Sequence, residues 1–306
     1  MNSTHYDVIA FGGCYLDIIS TGLPFEAAGV PVEREMRGNS YLAQPGGSAI
    51  NMLRTLQKLG GKGIFIGVKG DDVTGRLLEQ QCTNENLTVK LFQADGRQTN
   101  FGLNMVGQES SHVLFSLGSA NQMLTSDMLL PALSEILTEK SFLYMGTLFK
   151  LDGLAPDFYK VLRLARLKGS KIVVDHGRIS PGAPADRYSQ VQTVVLAADY
   201  YLPSKAEFLE MWQVNTIEEG LRRLHSQAKD LTTVVKDGGN GAHYWADGKV
   251  WHVAARSVTY AQNITGAGDA FNAGFLWAVS AKKALVTSVE HAVAVAAEHV
   301  GNGRNA

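Results

Sequence analysis

The chain has 306 residues, of which 45% are hydrophobic and 19% are charged, and its formal net charge is −1 at pH 7. This composition is typical of globular enzymes, and so small a net charge makes nucleic acid or an anionic membrane a poor first guess for a partner. Cys14 and Cys82 are too few for a disulfide framework, which favours a reduced, cytoplasmic setting. The N-terminus lacks the features of a signal peptide, and no apolar run approaches 18 residues, so we expect no membrane span.

The first strand predicted is Asp7–Phe11, a short apolar run that ends at Gly12-Gly13. Asp17 follows, and a carboxylate just beyond the carboxyl end of a strand is well placed to hold hydroxyl groups of a ligand in an α/β protein. An aspartate in a simple turn is an equal alternative on these residues alone. Residues 20–44 mix charged and apolar positions with several Gly and Pro. They fit a small β-sheet lid that projects from the main body.

The next functional signal is the stretch Gln44–Asn51 (Q-P-G-G-S-A-I-N), which opens a helix whose apolar residues recur at helical spacing. Gly46 and Gly47 would let a ligand approach the backbone amides, and Asn51 would face back over the first turn. A loop-to-helix junction without a ligand is the alternative. Further along, Asn100–Val106 and Val113–Leu117 are predicted strands that complete the lid.

Two asparagines in the predicted lid are candidates for substrate selection. Asn100 and Asn104 lie on one face of their strand because side chains alternate with a period of two. If that face is turned to the cleft, both amides could contact a ligand. The lid as a whole is predicted over about residues 20–44 and 97–117.

From residue 142 onward, strands alternate with helices of about 10–15 residues, which predicts βαβ units and a parallel sheet covered on both faces. The fold class is therefore α/β, a three-layer, doubly wound, mostly parallel sheet with a small β lid. We expect a single domain over residues 1–306, since no repeat or low-complexity linker interrupts it. Ligands of such sheets sit at the carboxyl ends of the strands. Several polar or glycine residues fall at predicted strand ends: Asp175, Ser204, Glu207, Lys236 and Gly238.

The strongest signal is Asn263–Ala278, in which Thr265-Gly266-Ala267-Gly268 is followed at once by Asp269 and an apolar, Ala-rich helix. Small residues at a helix start expose free N–H groups and the positive end of the dipole, which suits an anion. A carboxylate there makes sense if it takes a proton from a hydroxyl that attacks a phosphoryl group. A helix N-cap is the alternative. The Gly-Ala-Gly run favours the catalytic interpretation, and so does the expectation that the following helix carries no further polar residue.

Other phosphate-binding and metal-binding motifs are missing from the sequence. No G-x-x-x-x-G-K-[ST] occurs, and G-x-G-x-x-G fails because Phe271 stands where its last small residue must be. No His or Cys residues have the spacing of metal ligands.

These motifs resemble those of the ribokinase-like (PfkB) carbohydrate kinases. N-I-T-G-A-G-D, ending at Asp269, is similar to the second signature of the family, D-T-x-G-A-G-D, with Asn263 and Ile264 as departures. Gly46 to Asn51 is similar to the first signature. Glu207 matches N-x-x-E with Ser204 in place of Asn. The stretch Lys236-Asp237-Gly238-Gly239-Asn240-Gly241 matches K/T-x-G-x-x-G. The resemblance implies a kinase that uses ATP and Mg²⁺ to phosphorylate a hydroxymethyl group of a sugar or sugar-like molecule.

The resemblance also implies roles for single residues. Asp269 would be the base, and the amides of Gly266, Ala267 and Gly268 the anion hole. The acceptor would be held by Asp17, Gly46, Gly47, Asn51 and Asn104, with Arg178 as a weaker candidate. The nucleotide would be held by Ser204, Lys236, Gly238, Gly241, Thr265 and His291, and Glu207 would contact Mg²⁺ through water.

Three alternatives to a sugar kinase stay open at this point. A nucleoside kinase of the same family would use the same first signature to hold ribose. A non-catalytic sugar or nucleotide sensor would not need Asp269, and a dinucleotide oxidoreductase would need the fingerprint that is missing.

The sequence also predicts a neutral acceptor, because Arg178 is the only cation expected near it. Arg178 follows Asp175 in D-H-G-R, whereas relatives acting on sugar acids often carry D-x-N-x-R, one residue longer. In many relatives the lid pairs two subunits, so we expect a homodimer. Its apolar lid face would consist of Ile18, Val30, Val32, Phe101, Leu103 and Phe115.

Overall fold

The computed structural model describes residues 5–23, 35, 37–107, 112–180, 182–258 and 265–301. Its strands are Val8–Phe11 (β1), Tyr15–Thr21 (β2), Ser40–Gly46 (β3), Gly63–Gly70 (β4), Val89–Ala94 (β5), Phe101–Val106 (β6), His112–Leu117 (β7), Phe142–Gly146 (β8), Lys171–Asp175 (β9), Tyr200–Tyr201 (β10), Thr232–Lys236 (β11), Ala242–Ala246 (β12) and Lys249–Val253 (β13). Its α-helices are Ser48–Lys58 (α1), Val73–Asn84 (α2), Ser126–Ile136 (α3), Phe158–Leu167 (α4), Ala185–Leu196 (α5), Lys205–Trp212 (α6), Ile217–Gln227 (α7), Ala267–Ser280 (α8) and Leu285–Gly301 (α9).

Within these described residues, nine strands form one large sheet in the order β13-β12-β11-β10-β9-β8-β1-β4-β5. The strands from β11 to β5 pair in parallel, while β12 and β13 extend the sheet as an antiparallel hairpin. The parallel strands therefore share one carboxyl edge, where side chains from β8, β9 and β11 meet.

Both faces of the large sheet are buried, which explains the continuous apolar runs of its strands. In β1, Ile9 and Phe11 pack into the core under α3 to α7, while Val8 and Ala10 pack into the core under α1, α2, α8 and α9. Helices thus cover the sheet on two sides, and the predicted three-layer α/β fold is confirmed.

The second sheet has the order β3-β2-β6-β7 in the described chain and forms the lid. It begins at Tyr15, five residues before the predicted boundary. Asp17 lies beyond the carboxyl end of β1 and in the middle of β2, so it belongs to the lid, which the sequence predicted to begin only at residue 20. The reason is that β1 and β2 are separated by only three residues, and the chain enters the lid at once. Val30 and Val32 of the predicted lid face lie outside the described residues.

Pro131 lies inside the uninterrupted α3, although a proline in the interior of a helix usually kinks or breaks it. Its ring displaces the hydrogen bond to the carbonyl of Asp127, and both residues are exposed, so water can satisfy that carbonyl. No helix in the described ranges is both long and apolar enough to cross a bilayer.

Candidate active site

The start of α8 presents free backbone amides at the carboxyl edge of the large sheet. Gly266 caps the helix in the left-handed region (φ 83°), and the first intrahelical bond runs from the Ala270 amide to the Gly266 carbonyl at 2.9 Å. The N–H groups of Ala267, Gly268 and Asp269 precede that bond and point out of the helix. His299 of α9 lies with Nε2 2.8 Å from the Thr265 carbonyl oxygen and supports the turn from behind.

Asp269 lies in the first turn of α8, and Asn51 of α1 donates a hydrogen bond from Nδ2 to its Oδ2 at 2.9 Å. Burial raises the pKa of Asp269 to about 7, and the nearby Asp175 carboxylate acts in the same direction, while Asn51 and Lys236 oppose them. A carboxylate with a pKa near neutral can accept a proton from a hydroxyl more readily than an ordinary aspartate.

Arg54 fixes the orientation of Asn51. It donates from Nη1 to Asn51 Oδ1 at 2.7 Å and from Nη2 to the Pro45 carbonyl at 2.6 Å, while Nε contacts Glu85. With Oδ1 of Asn51 occupied, its amide nitrogen faces Asp269. Sequence reasoning missed Arg54, although its spacing of three residues from Asn51 puts both on one face of α1.

A buried polar network lies beneath the start of α8. Lys236 at the end of β11 contacts Asp175 Oδ2 at 2.9 Å and Asn272 Oδ1 at 3.1 Å. Asn272 in turn donates to Asp175 at 2.6 Å and to the hydroxyl of Tyr144 at 3.0 Å. Burial by itself would raise the pKa of Asp175, but the Lys236 ammonium holds it below the ordinary value.

This network places a positive charge against the helix start, because a Cβ atom added at Gly268 would lie 3.5 Å from Lys236 Nζ. Asn272 also shows that the expectation of no further polar residue in the helix after Asp269 is wrong. Its side chain is fully buried. Asn272 is an isolated polar residue in an apolar helix, three positions after Asp269. This pattern in the sequence could have revealed its part in the buried network.

Asp17 occupies a slot between two glycines of the lid. A Cβ atom at Gly46 would come within 1.8 Å of Asp17 Oδ2, and one at Gly102 within 2.1 Å of Oδ1. Gly46 therefore makes room for the carboxylate. Gly47 (φ 105°) packs against the first loop, where an added Cβ would meet the Gly13 carbonyl oxygen at 2.3 Å.

The two lid asparagines differ in position. The pairing of β2 with β6 puts Asn104 on the same face as Asp17. Asn100 is buried, and its amide accepts from the Asn121 backbone at 2.8 Å and reaches the Leu117 carbonyl at 3.4 Å. Asn100 therefore holds the base of the lid together, while Asn104 remains a candidate for contact with a ligand.

The glycine-rich turn after β11 is open on one side. Cβ atoms added at Gly238 or Gly239 would meet no atom within 4 Å, so this backbone is accessible to a ligand. Gly241 (φ 100°) has a packing role, since a Cβ there would lie 2.0 Å from the Val253 carbonyl oxygen.

Ser204 and Glu207 form a capping box at the start of α6. Ser204 Oγ accepts from the Glu207 amide at 3.4 Å, and Glu207 Oε2 accepts from the Ser204 amide at 2.9 Å. This explains why serine can stand where the family usually has asparagine. In the described part of the chain, no group of three or more His, Cys, Asp or Glu residues could hold a metal ion.

His291 and Arg178 stand apart from these contacts. The ring of His291 packs on Trp277 with 4.8 Å between centroids, and burial lowers the pKa of His291. Arg178 is exposed and follows Gly177. Two cations other than Arg178, namely Lys150 and Arg187, line a cavity beside the lid. Both lie in loops or helices far from the motifs, which is why sequence reasoning missed them.

The site combines open amides at a helix start, a carboxylate of raised pKa and a buried lysine beneath them. A phosphotransferase uses groups of these kinds to stabilise phosphoryl charge and to accept a proton. Residues 7–304 match the pfkB family of carbohydrate kinases, and the chain belongs to this family. The family resemblance of the sequence motifs is thereby confirmed. The protein is a sugar kinase, that is, a phosphotransferase with an alcohol group as acceptor.

Individual relatives are distant. The chain is 25% identical over 260 residues to a fructokinase from Klebsiella pneumoniae, covering 80% of each protein. It is 25% identical over 301 residues to a 5-dehydro-2-deoxygluconokinase from Halalkalibacterium halodurans, covering 95% of this chain and 87% of the relative. A double mutant of the fructokinase from Vibrio cholerae O395, solved with fructose, ADP and potassium ion, superposes with a TM-score of 0.77 at 22% identity, covering 98% of this chain and 94% of that one.

Proposed function

We propose that the protein transfers the γ-phosphoryl group of ATP to a hydroxymethyl group of a sugar or sugar-like acceptor, with Asp269 as the base. One observation carries the proposal: the Asp269 carboxylate lies in the first turn of α8, beside free amides, with its pKa raised to about 7. A carboxylate beside a phosphate site is electrostatically unfavourable, so its presence at this position is explained if it accepts the proton of the attacking hydroxyl.

Asp269 accepts the proton of the acceptor hydroxyl as that hydroxyl attacks. The Asn51 hydrogen bond to Oδ2 leaves Oδ1 to face the acceptor, and Arg54 keeps Asn51 in that orientation. The base is therefore held in place before the acceptor arrives, which is the arrangement that lowers the cost of reaching the transition state.

Charge on the transferring group is stabilised from two sides. The amides of Gly266, Ala267 and Gly268 donate to phosphoryl oxygens, and the Lys236 ammonium adds a positive charge beneath Gly268. Because Lys236 is also paired with Asp175, its amine is fixed in position and loses little freedom during the reaction.

The residues present suit a nucleoside triphosphate with Mg²⁺, since amides and an ammonium are the donors that phosphates accept. When bound, Mg–ATP supplies the phosphoryl group and neutralises part of its charge. Gly238, Gly241 and Thr265 would lie along the phosphates, with Ser204 beside them. His291 would contact the nucleobase of the nucleotide. Glu207 would hold Mg²⁺ through water, since one of its oxygens is occupied in the capping box.

On the acceptor side, Asp17 would hold sugar hydroxyls in its glycine slot, with the amide of Gly47 and the side chain of Asn104 beside it. We also propose that two copies associate through the lid. Exposed apolar residues on the lid support this: Tyr41, Leu42, Leu114, Phe115 and Leu117. Apolar surface of this kind favours association.

The test compares Asp269→Asn with Asp127→Asn, because Asp127 lies in the first turn of α3 and is exposed. ATP turnover is measured with fructose, ribose, adenosine and six-carbon sugar acids. We expect Asp269→Asn to lose roughly 10²–10⁴-fold in turnover while it still binds ATP, and Asp127→Asn to match the parent. Turnover by Asp269→Asn within threefold of the parent would remove Asp269 from its role as base.

A further inference from the structure

A polar cavity of about 390 Å³ opens under the lid, next to the acceptor slot. It lies between the base of the lid sheet, the turn after β8 and the start of α5. The lining residues that matter here are Tyr15, Ser116, Asn121, Lys150, Asp152 and Arg187. The proposed kinase mechanism uses none of them.

The cavity adjoins the lid face that carries Asp17, because Tyr15 and Ser116 of that face line it. Strand pairing places Asp17 opposite Gly102, and Gly102 opposite Ser116, so the three lie in a row on one face of the lid. Gly102 has no side chain to separate Asp17 from Ser116. Tyr15, two residues before Asp17 on the same strand, lies on that face as well. An acceptor held by Asp17 would therefore have the cavity beside it.

The cavity carries more positive than negative charge. Arg187 is 8% exposed, and its Nη1 lies 2.9 Å from Asp152 Oδ1. Lys150 also lines the cavity and is half-buried, and among the described residues no acidic side chain pairs with it. Two cations and one carboxylate leave one unbalanced positive charge in a partly enclosed space. Such a charge is stabilised by an anion that enters with the ligand.

Neutral donors complete the surroundings. Burial raises the pKa of Tyr15 to about 12, so its phenol stays protonated and can donate. Asn121 is fixed by bonds with the Cys14 backbone, with its Oδ1 accepting at 3.1 Å and its Nδ2 donating at 3.2 Å. The cavity thus has neutral hydrogen-bonding groups in its lining as well as the two cations.

We propose that the acceptor is a sugar acid whose carboxylate lies between Lys150 and Arg187 while its hydroxymethyl end faces Asp269. The proposal rests on the kinase function proposed above and names its substrate class. A carboxylate carries one charge and matches the single unbalanced cation, whereas the double charge of a phosphate would exceed it. The expectation of a neutral acceptor, drawn from the sequence without Lys150 and Arg187, is replaced.

Calorimetric binding in the presence of a non-hydrolysable ATP analogue tests the proposal with matched ligand pairs. Each pair joins a six-carbon aldonic or keto-aldonic acid with the alcohol or sugar that lacks its carboxylate. We expect the best acid to bind at least about tenfold more tightly than its neutral partner, the usual effect of a hydrogen bond to a charged group. Tighter binding of the neutral members overturns the proposal.

Variants of single residues test which side chains cause the preference for the acid. Lys150→Gln should abolish the preference for the acid, and Lys150→Arg should restore most of it. Lys140→Gln is the matched control, because Lys140 is exposed and precedes β8 at the opposite edge of the sheet. Asp152→Asn removes the competing carboxylate and should tighten acid binding. An unchanged preference in Lys150→Gln, or tighter binding of fructose 6-phosphate than of any acid, contradicts the assignment.

Turnover measurements separate this inference from the kinase function. If a neutral sugar is phosphorylated best and Lys150→Gln behaves like the parent, the inference fails while the kinase function stands. If acids bind through Lys150 but no acceptor is phosphorylated, the carboxylate site stands and the kinase function fails.

Discussion

The two ends of the cleft are built in different ways. At the proposed catalytic end, Asp269, Asn51 and Arg54 form a continuous chain of hydrogen bonds, and Lys236 pairs with Asp175 beneath them. At the proposed acceptor end, Lys150 has no acidic partner among the described residues, and the cavity is open. The catalytic end is satisfied by the protein itself, while the acceptor end leaves charge for a ligand to satisfy.

This difference separates chemistry from specificity. Groups that move a proton and stabilise charge must be in position before the acceptor binds, so their partners are side chains. Groups that choose the acceptor need partners that only the correct ligand supplies. A change at the catalytic end should therefore affect stability and turnover together, whereas one at the acceptor end should affect the choice of ligand.

The largest effect on stability is expected from Lys236→Met. It leaves Asp175 buried without its cation, which costs about 3–5 kcal/mol when one partner of a buried pair is removed. The free energy of unfolding in urea measures it. Lys205→Met is the matched control, because the Lys205–Asp237 pair at 3.1 Å is more exposed on its lysine side and is worth about 0–1 kcal/mol.

The double variant Lys236→Met with Asp175→Asn sharpens this test. Removal of both charges should recover much of the lost stability, since no unpaired charge remains buried. Equal destabilisation in the single and double variants would mean that the pair is not the source of the cost.

The smallest effect is expected on the stability of the proposed dimer, from a change in the lid at Tyr41, which is 76% exposed. If two copies meet there, Tyr41→Ser should weaken the dimer by roughly 1–2 kcal/mol per copy through lost apolar burial, without loss of folding. Tyr159→Ser is the control, since Tyr159 is 60% exposed on α4, away from the lid. Light scattering across micromolar concentrations measures the mass, and a parent protein that stays monomeric there contradicts the proposal.

Much of the large sheet could be predicted from the sequence because each strand is a short apolar run between turn residues. The start of α8 was also predictable, because Gly266 to Asp269 lie together in the chain. The start of the lid at Tyr15 was not predictable, because nothing local shows that the chain turns into the lid three residues after β1. The slot of Asp17 depends on Gly102, which is far away in sequence.

The cations of the acceptor end were missed for a related reason. Lys150 follows β8 and Arg187 lies in α5, and only the folded chain brings them to one cavity. Charged residues in loops and helix starts are usually solvated, so the sequence gives no sign that these two line a cavity. Asn272 is different, because its isolated position in an apolar helix is visible in the sequence and indicates a buried polar contact.

The pH dependence of kcat/KM tests the central claim about Asp269 most directly. Since only the ionised carboxylate accepts a proton, kcat/KM should rise with pH and level off above an apparent pKa of about 7. Asn51→Ala removes a hydrogen bond that lowers this pKa, so its profile should shift to higher pH. A profile that is flat from pH 5 to 8 in both proteins would contradict the account, because Asp269 would then not be the group whose ionisation limits the reaction.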